Sequence, residues 1–205
     1  MDGDEAAEDA LRQAMKAEIR QRRRSVRRAM PHDARVARSE AIAAKVTALP
    51  EWERARTVLA FVSMRSEVQT EGLVASARAS GKRVAAPRLA PDRTNLELRE
   101  WREGDELEES GMMFLQPARH AASIDDDAVD LVLVPALAAD ERGHRIGYGK
   151  GFYDRLLPRL SRAFRVCVIF DFELVQEVPE RPGDEPVDVV VTDRRVLRTR
   201  RAATE

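Results

Sequence analysis

Arg145, Lys150 and Arg155 alternate with Gly147, Gly149 and Gly151 in the stretch RIGYGKGFYDRLL, and Asp154 sits among them. That set of residue types suits a polyphosphate. Bare glycine backbone lets phosphate oxygens approach the N–H groups, and the flanking cations neutralise their charge. A carboxylate beside them can hold a Mg²⁺ that bridges the phosphates. Neither common phosphate signature fits. Lys150 is followed by Gly151 rather than by a hydroxyl residue, as a Walker loop requires, and a dinucleotide fingerprint would need a glycine at Phe152. The competing reading is a surface turn with solvated charges.

The flanking elements must aim this loop. Leu131-Val132-Leu133-Val134, after Asp130, is a short apolar run expected to form a buried strand that Pro135 stops. Asp140-Glu141-Arg142-Gly143 is turn chemistry, and a short helix is expected to open at Phe152-Tyr153-Asp154 and to bend or end at Pro158. The helix N-terminus would add roughly half a positive charge at the loop.

Upstream, residues 1–9 are acidic with little to bury and are expected to be a disordered lead-in. Helix is expected from about Ala10 to Met30, with Lys16, Arg20, Arg24 and Arg27 on one face. Such a face is usually solvated, and no aromatic residues interleave it to stack bases. Pro31-His32-Asp33 should break that helix and start a second, apolar on one side from Ala34 to Leu49. Strands are expected at Thr57–Val62, Lys82–Pro87, Phe164–Phe170 and Val187–Thr192, an edge strand or hairpin at Asn95–Trp101, and a helix over Glu71–Ser80. Alternating helices and buried strands predict an α/β fold: one three-layer α/β/α domain over residues 10–199 with a mostly parallel sheet, followed by a frayed tail at 200–205. Its crevice would lie past the strand ends at Val62, Val134 and Phe170.

Composition narrows the function classes. Thirty-five basic and 36 acidic residues give a net charge of −1, which argues against a general nucleic-acid coat. The lone Cys167 lies in an apolar run, cannot pair within the chain, and suits a reducing cytoplasm. No apolar run approaches a membrane span. His120 and His144 lack partners at zinc-ligand spacing.

RIGYGKGFYDRLL after a VP-containing strand resembles the signature of the 5-formyltetrahydrofolate cyclo-ligase family, and the likeness runs from about Lys16 to Thr192. The resemblance implies a monomeric cytoplasmic ligase that uses ATP and Mg²⁺ to convert 5-formyltetrahydrofolate into 5,10-methenyltetrahydrofolate, releasing ADP and phosphate. It implies no nucleic-acid or membrane partner. Arg145, Lys150 and Tyr153 would be catalytic. The nucleotide would meet Lys16 and Arg20, which match a Lys-x-x-x-Arg pair near the family's start. It would also meet Arg145, Gly147, Tyr148, Gly149, Lys150, Gly151, Phe152 and Tyr153. The folate would meet Val62, Met64, Glu67, Trp101, Tyr148 and Phe152, with Glu67 hydrogen-bonding the pterin. Read from the residues alone, Glu67 is an exposed loop acid and Trp101 is first a core residue. Asp154 and Asp184 would hold the metal.

The chain departs from the family pattern in places. Phe152 keeps a ring where a tyrosine is usual. Gln69, Ala136, Ala139, Glu173 and Gly183 replace an acid, a glycine, a phenylalanine, a glutamine and a histidine. These changes leave open a diverged chain that binds nucleotide or folate without turnover.

Overall fold

The computed structural model describes residues 3–64, 66–112, 114–199 and 201. Its centre is a seven-stranded sheet. Strands β1 (Thr57–Leu59), β2 (Arg83–Leu89), β3 (Leu96–Glu100), β6 (Leu131–Pro135), β9 (Phe164–Val168), β10 (Val189–Val191) and β11 (Val196–Arg198) lie in the order β11-β10-β9-β6-β1-β2-β3. The five from β10 to β2 are mutually parallel, and β3 and β11 run antiparallel at the edges. Two hairpins stand apart from it: β4 (Leu107–Glu109) with β5 (Leu115–Pro117), and β7 (Ala138–Ala139) with β8 (Arg145–Ile146).

The unbroken apolar runs are what a sheet covered on both faces requires. Leu131, Val132, Leu133 and Val134 are all fully buried, and alternate side chains enter opposite layers. Leu131 and Leu133 join Val58, Val166 and Val189 under α2 (His32–Thr47), α3 (Pro50–Arg54) and α4 (Glu71–Ala79), through Ile42, Val46, Trp52 and Leu73. Val132, Val134, Cys167 and Val190 face Leu156, Leu157, Leu160, Ile124 and Val129 around α5 (Phe152–Leu156). Each fully buried aliphatic side chain contributes about 1.5–3 kcal/mol. The expected mostly parallel sheet with helices on both faces is the architecture found.

From β1 the chain winds one way to β2, and from β6 the other way to β9 and β10. The winding therefore reverses between β1 and β6, where open α/β sheets leave a crevice past the strand ends. Helix α1 (Gly3–Ala29) lies against the β7–β8 hairpin, with Ile19 packing on Ala138, Ile146 and Val178.

Several expectations need correction. Residues 3–9 are the first turns of α1 rather than a disordered lead-in, and Asp9 pairs with Arg181 at 2.5 Å. Strand β1 ends at Leu59, three residues before Val62, because the chain leaves the ladder there to meet α4, the Thr70 hydroxyl donating to Phe61 O. Of the expected tail, Arg201 bonds Asp188 at 2.8 Å, while residues 200 and 202–205 lie outside the described residues.

Candidate active site

Helix α1, the glycine loop and the segment that leads into β10 meet at one corner beside the sheet. Lys16 is buried and ion-pairs with Asp184, whose carboxylate also accepts Arg181 N at 2.7 Å. One turn on, Arg20 Nε donates to Gly147 O at 3.0 Å, and its guanidinium would lie 3.6 Å from a Cβ at Gly149. Arg145, on β8, donates to Asp154 Oδ1 at 2.7 Å and to the Glu185 carbonyl. Glu185 N approaches the same Asp154 oxygen at 3.4 Å, so Asp154 and Asp184 share one corner across the Glu185 backbone.

The side chains of Asp154 and Asp184 are 35% and 21% exposed, whereas those of Arg145 and Lys16 are 4% and 5% exposed. The carboxylates thus open outward while their cations are held from behind. Among the described residues no cluster of three or more His, Cys, Asp or Glu could hold a metal alone. Two open carboxylates still suit Mg²⁺, which is commonly held by one or two carboxylates, with phosphates and water completing its shell. The residues present fit that ion.

Beside this corner is a buried polar chain. Glu67, only 4% exposed, accepts Met64 N at 2.9 Å and a hydrogen bond from the Tyr148 hydroxyl. That hydroxyl in turn accepts from Arg27 Nη1 at 3.2 Å. Arg27, 2% exposed, also donates to Glu173 Oε1 at 2.6 Å and Ala136 O at 2.5 Å. Burial pushes the Glu67 carboxyl above its ordinary range, against the pull of Tyr148, Met64 N and Arg27. Burial likewise raises Tyr148, with the Glu67 charge adding to it, and raises Tyr153, so both phenols are neutral. Burial pushes Glu173 up as well, while at Arg27 the burial penalty is outweighed only by the Glu173 charge and hydrogen bond together with Tyr148 and Glu67. The guanidinium is the fixed ion of that pair, and its contact keeps the carboxylate charged at neutral pH. The Tyr153 hydroxyl is buried with no hydrogen-bond partner among the described residues.

The structure therefore brings together Lys16, Arg20, Arg145, Gly147, Tyr148, Gly149, Gly151, Asp154 and Asp184, with Glu67 and Met64 adjoining through Tyr148. Val62 is half-buried in the same loop as Met64. Phe152 opens α5, with Phe114 edge-on at 6.4 Å and Arg155 over its ring at 5.6 Å. Lys150 is exposed on the loop. Arg155 is occupied elsewhere, donating to Thr94 O and Lys150 O. With only five residues, α5 offers little dipole, so side-chain cations and loop N–H groups carry the anion-binding character.

Trp101 does not join the site. Its N–H bonds Val84 O near the amino end of β2, the opposite end of the sheet, and its ring packs on the helix layer with Arg78 over it at 5.2 Å. Tryptophan's large area found core there, which removes it from the folate set. Glu67 is buried where a loop acid was expected to be exposed. Arg24 and Arg27 were expected on a solvated face. Arg24 instead lies over the Tyr148 ring at 5.3 Å, and Arg27 is buried. Arg27 and Phe114 are site neighbours the sequence reading passed over. The available signals were a fourth cation in register with Lys16, Arg20 and Arg24, and an aromatic residue before Gln116-Pro117.

Comparison with known proteins bears on the same region. A family model described as the 5-formyltetrahydrofolate cyclo-ligase family matches residues 12–193. The Escherichia coli K12 5-formyltetrahydrofolate cyclo-ligase is 30% identical over 182 residues, covering 87% of this chain and 98% of its own. The Mycolicibacterium smegmatis protein of that name is 33% identical over 175 residues, covering 82% and 89%. In structure, the Aquifex aeolicus 5,10-methenyltetrahydrofolate synthetase superposes with a TM-score of 0.80 at 27% identity, over 91% of this chain and 93% of that one.

Proposed function

Since the chain belongs to the 5-formyltetrahydrofolate cyclo-ligase family and is an enzyme of the ligase class, we propose that it closes the methenyl bridge of 5-formyltetrahydrofolate at the expense of ATP. The observation that carries this reading is the corner of Lys16, Arg20, Arg145, Asp154 and Asp184 against the glycine loop, one tyrosine away from the buried Glu67.

The chemistry asks for what that corner offers. The formyl group at N5 is an amide, and its oxygen is a poor leaving group. Transfer of the ATP γ-phosphoryl to that oxygen gives an iminium phosphate and ADP. N10 then attacks the formyl carbon and loses its proton, the C–O bond breaks, and phosphate departs as the ring closes. No covalent enzyme intermediate is needed, so the protein's work is positioning and charge neutralisation.

Arg145 and Lys16 would neutralise phosphate oxygens once these replace the carboxylates as partners. Arg20 would hold the loop through Gly147 O, and Lys150 would reach the polyphosphate from the solvent side. Asp154 and Asp184 would hold Mg²⁺, which when bound spreads and offsets the phosphates' negative charge. Tyr148 and Phe152 offer ring faces to the flat ligands, and the free Tyr153 hydroxyl is a donor for a phosphoryl or formyl oxygen. Glu67 would accept adjacent N–H groups of the pterin, with Val62 and Met64 alongside. Among the described residues no helix is long and apolar enough to cross a membrane, and we place the working enzyme in the cytoplasm as a monomer.

The test mixes the protein with 5-formyltetrahydrofolate, Mg²⁺ and ATP and follows the near-ultraviolet absorbance of the methenyl product. A rise that needs all three components is expected. No rise, with ATP binding retained in calorimetry, would replace turnover by binding alone.

A further inference from the structure

Arg27 takes no part in the phosphate corner, yet it is the most deeply buried cation beside it. Its guanidinium touches three segments that leave three different strands. Nη2 meets Ala136 O just after β6, Nε meets Glu173 beyond β9, and Nη1 meets the Tyr148 hydroxyl on the glycine loop. Tyr148 then reaches Glu67, in the segment after β1. A guanidinium has donors only. The Tyr148 oxygen must therefore accept from Arg27, which leaves its own proton for Glu67. Glu173 is committed to its ion pair with Arg27 and to Phe170 N at 3.0 Å, whereas Glu67, which accepts Met64 N at 2.9 Å and the Tyr148 proton, keeps further lone pairs for a ligand at this end of the crevice.

We infer that Arg27 is a positioning residue for the folate half of the site: it fixes the direction of the Tyr148–Glu67 hydrogen bond and thereby the acceptor face that Glu67 presents. The inference rests on the proposed cyclo-ligase reading and extends it to a residue on the same helix as Lys16 and Arg20. Glu173 is the counter-charge that lets the guanidinium be buried, since a buried ion without its partner is strongly destabilising.

Stability and positioning separate experimentally. Arg27→Met strands the Glu173 charge and should lower Tm by several degrees. The double variant Arg27→Met with Glu173→Gln removes both charges and keeps an acceptor for Phe170 N, so it should regain most of that loss. If Arg27 positions Glu67, both variants raise the KM for 5-formyltetrahydrofolate by about tenfold or more, the weight of one misdirected buried hydrogen bond. The KM for ATP should rise less, staying within about threefold, because Lys16, Arg20 and Arg145 keep their contacts and only the Tyr148 ring is shared with the folate half. A double variant with wild-type folate KM would make Arg27 purely structural and overturn the inference. So would equal rises in both KM values. Should the wild-type protein form no methenyl product, the cyclo-ligase reading falls separately. The same three proteins are then compared by calorimetric binding of 5-formyltetrahydrofolate. Weaker binding in the refolded double variant supports the role; equal binding, or none by the wild type, overturns it.

Discussion

Asp154 and Asp184 each face a cation that would also serve a phosphate, Arg145 and Lys16 respectively. On the proposed reading each carboxylate would hold its cation in place until a phosphate competes for it, and would then be free to face a divalent ion. Asp154→Asn should therefore abolish Mg²⁺-dependent turnover while leaving the fold intact, because Asp154 is partly exposed and its amide can still accept from Arg145. The expectation is a rate reduced by at least about a thousandfold, in line with losing a charge-stabilising group from a phosphoryl-transfer site, with unchanged circular dichroism and a modest fall in Tm, because the buried Arg145 keeps an acceptor but loses its counter-charge. Full activity in that variant would refute the metal assignment. Arg27 teaches the complementary lesson. On sequence it is one arginine among many, and a buried role becomes visible only when Glu173, 146 positions away, is brought against it.

At the scale of elements, the glycines of the loop are unlike one another. Gly149 and Gly151 have φ of 94° and 64°, a left-handed backbone that disfavours side chains, whereas Gly147 has an ordinary φ and open space around its missing Cβ. Gly147→Ala should then fold with wild-type stability and yet raise the KM for ATP severalfold, if a ligand fills that space. Gly143, in the turn between β7 and β8, is the contrast. It has φ of 91°, and a Cβ there would stand 2.6 Å from Val187 O and 2.8 Å from Thr199 Cγ2. Gly143→Ala should cost roughly 2–4 kcal/mol in urea denaturation, the left-handed penalty together with overpacking. Chemistry carried by neighbours in sequence was legible beforehand. The strand at Leu131–Val134, the turn at 140–143, the glycine loop and Asp154 fall within 30 residues and keep their order in space. The β4–β5 hairpin and the helical start of α1 were not legible, because charged stretches such as Glu108-Glu109 and Asp4-Glu5 carry no apolar period. Trp101 was misplaced for a different reason: its type says large and flat, and only the pairing of β3 with β2 says which end of the sheet receives it.

For the whole molecule, the sheet is both scaffold and clock. Cys167 lies fully buried at the centre of β9, where burial pushes its thiol up to about 12. It should resist a disulfide reagent in the native state and react at the rate of global unfolding. Labelling should accelerate with urea in step with the loss of circular dichroism, and fast labelling without unfolding would contradict the packing described here. The active-site corner is stitched from distant parts of the chain as well. Lys16 finds Asp184 across 168 positions, and Arg27 finds Glu173 across 146. On the ribosome, α1 and the glycine loop therefore emerge long before the acids that anchor them. A nascent chain halted at residue 170 carries every cation of the corner and neither Asp184 nor Glu173. The corner closes only once the chain through Asp184 is available to fold.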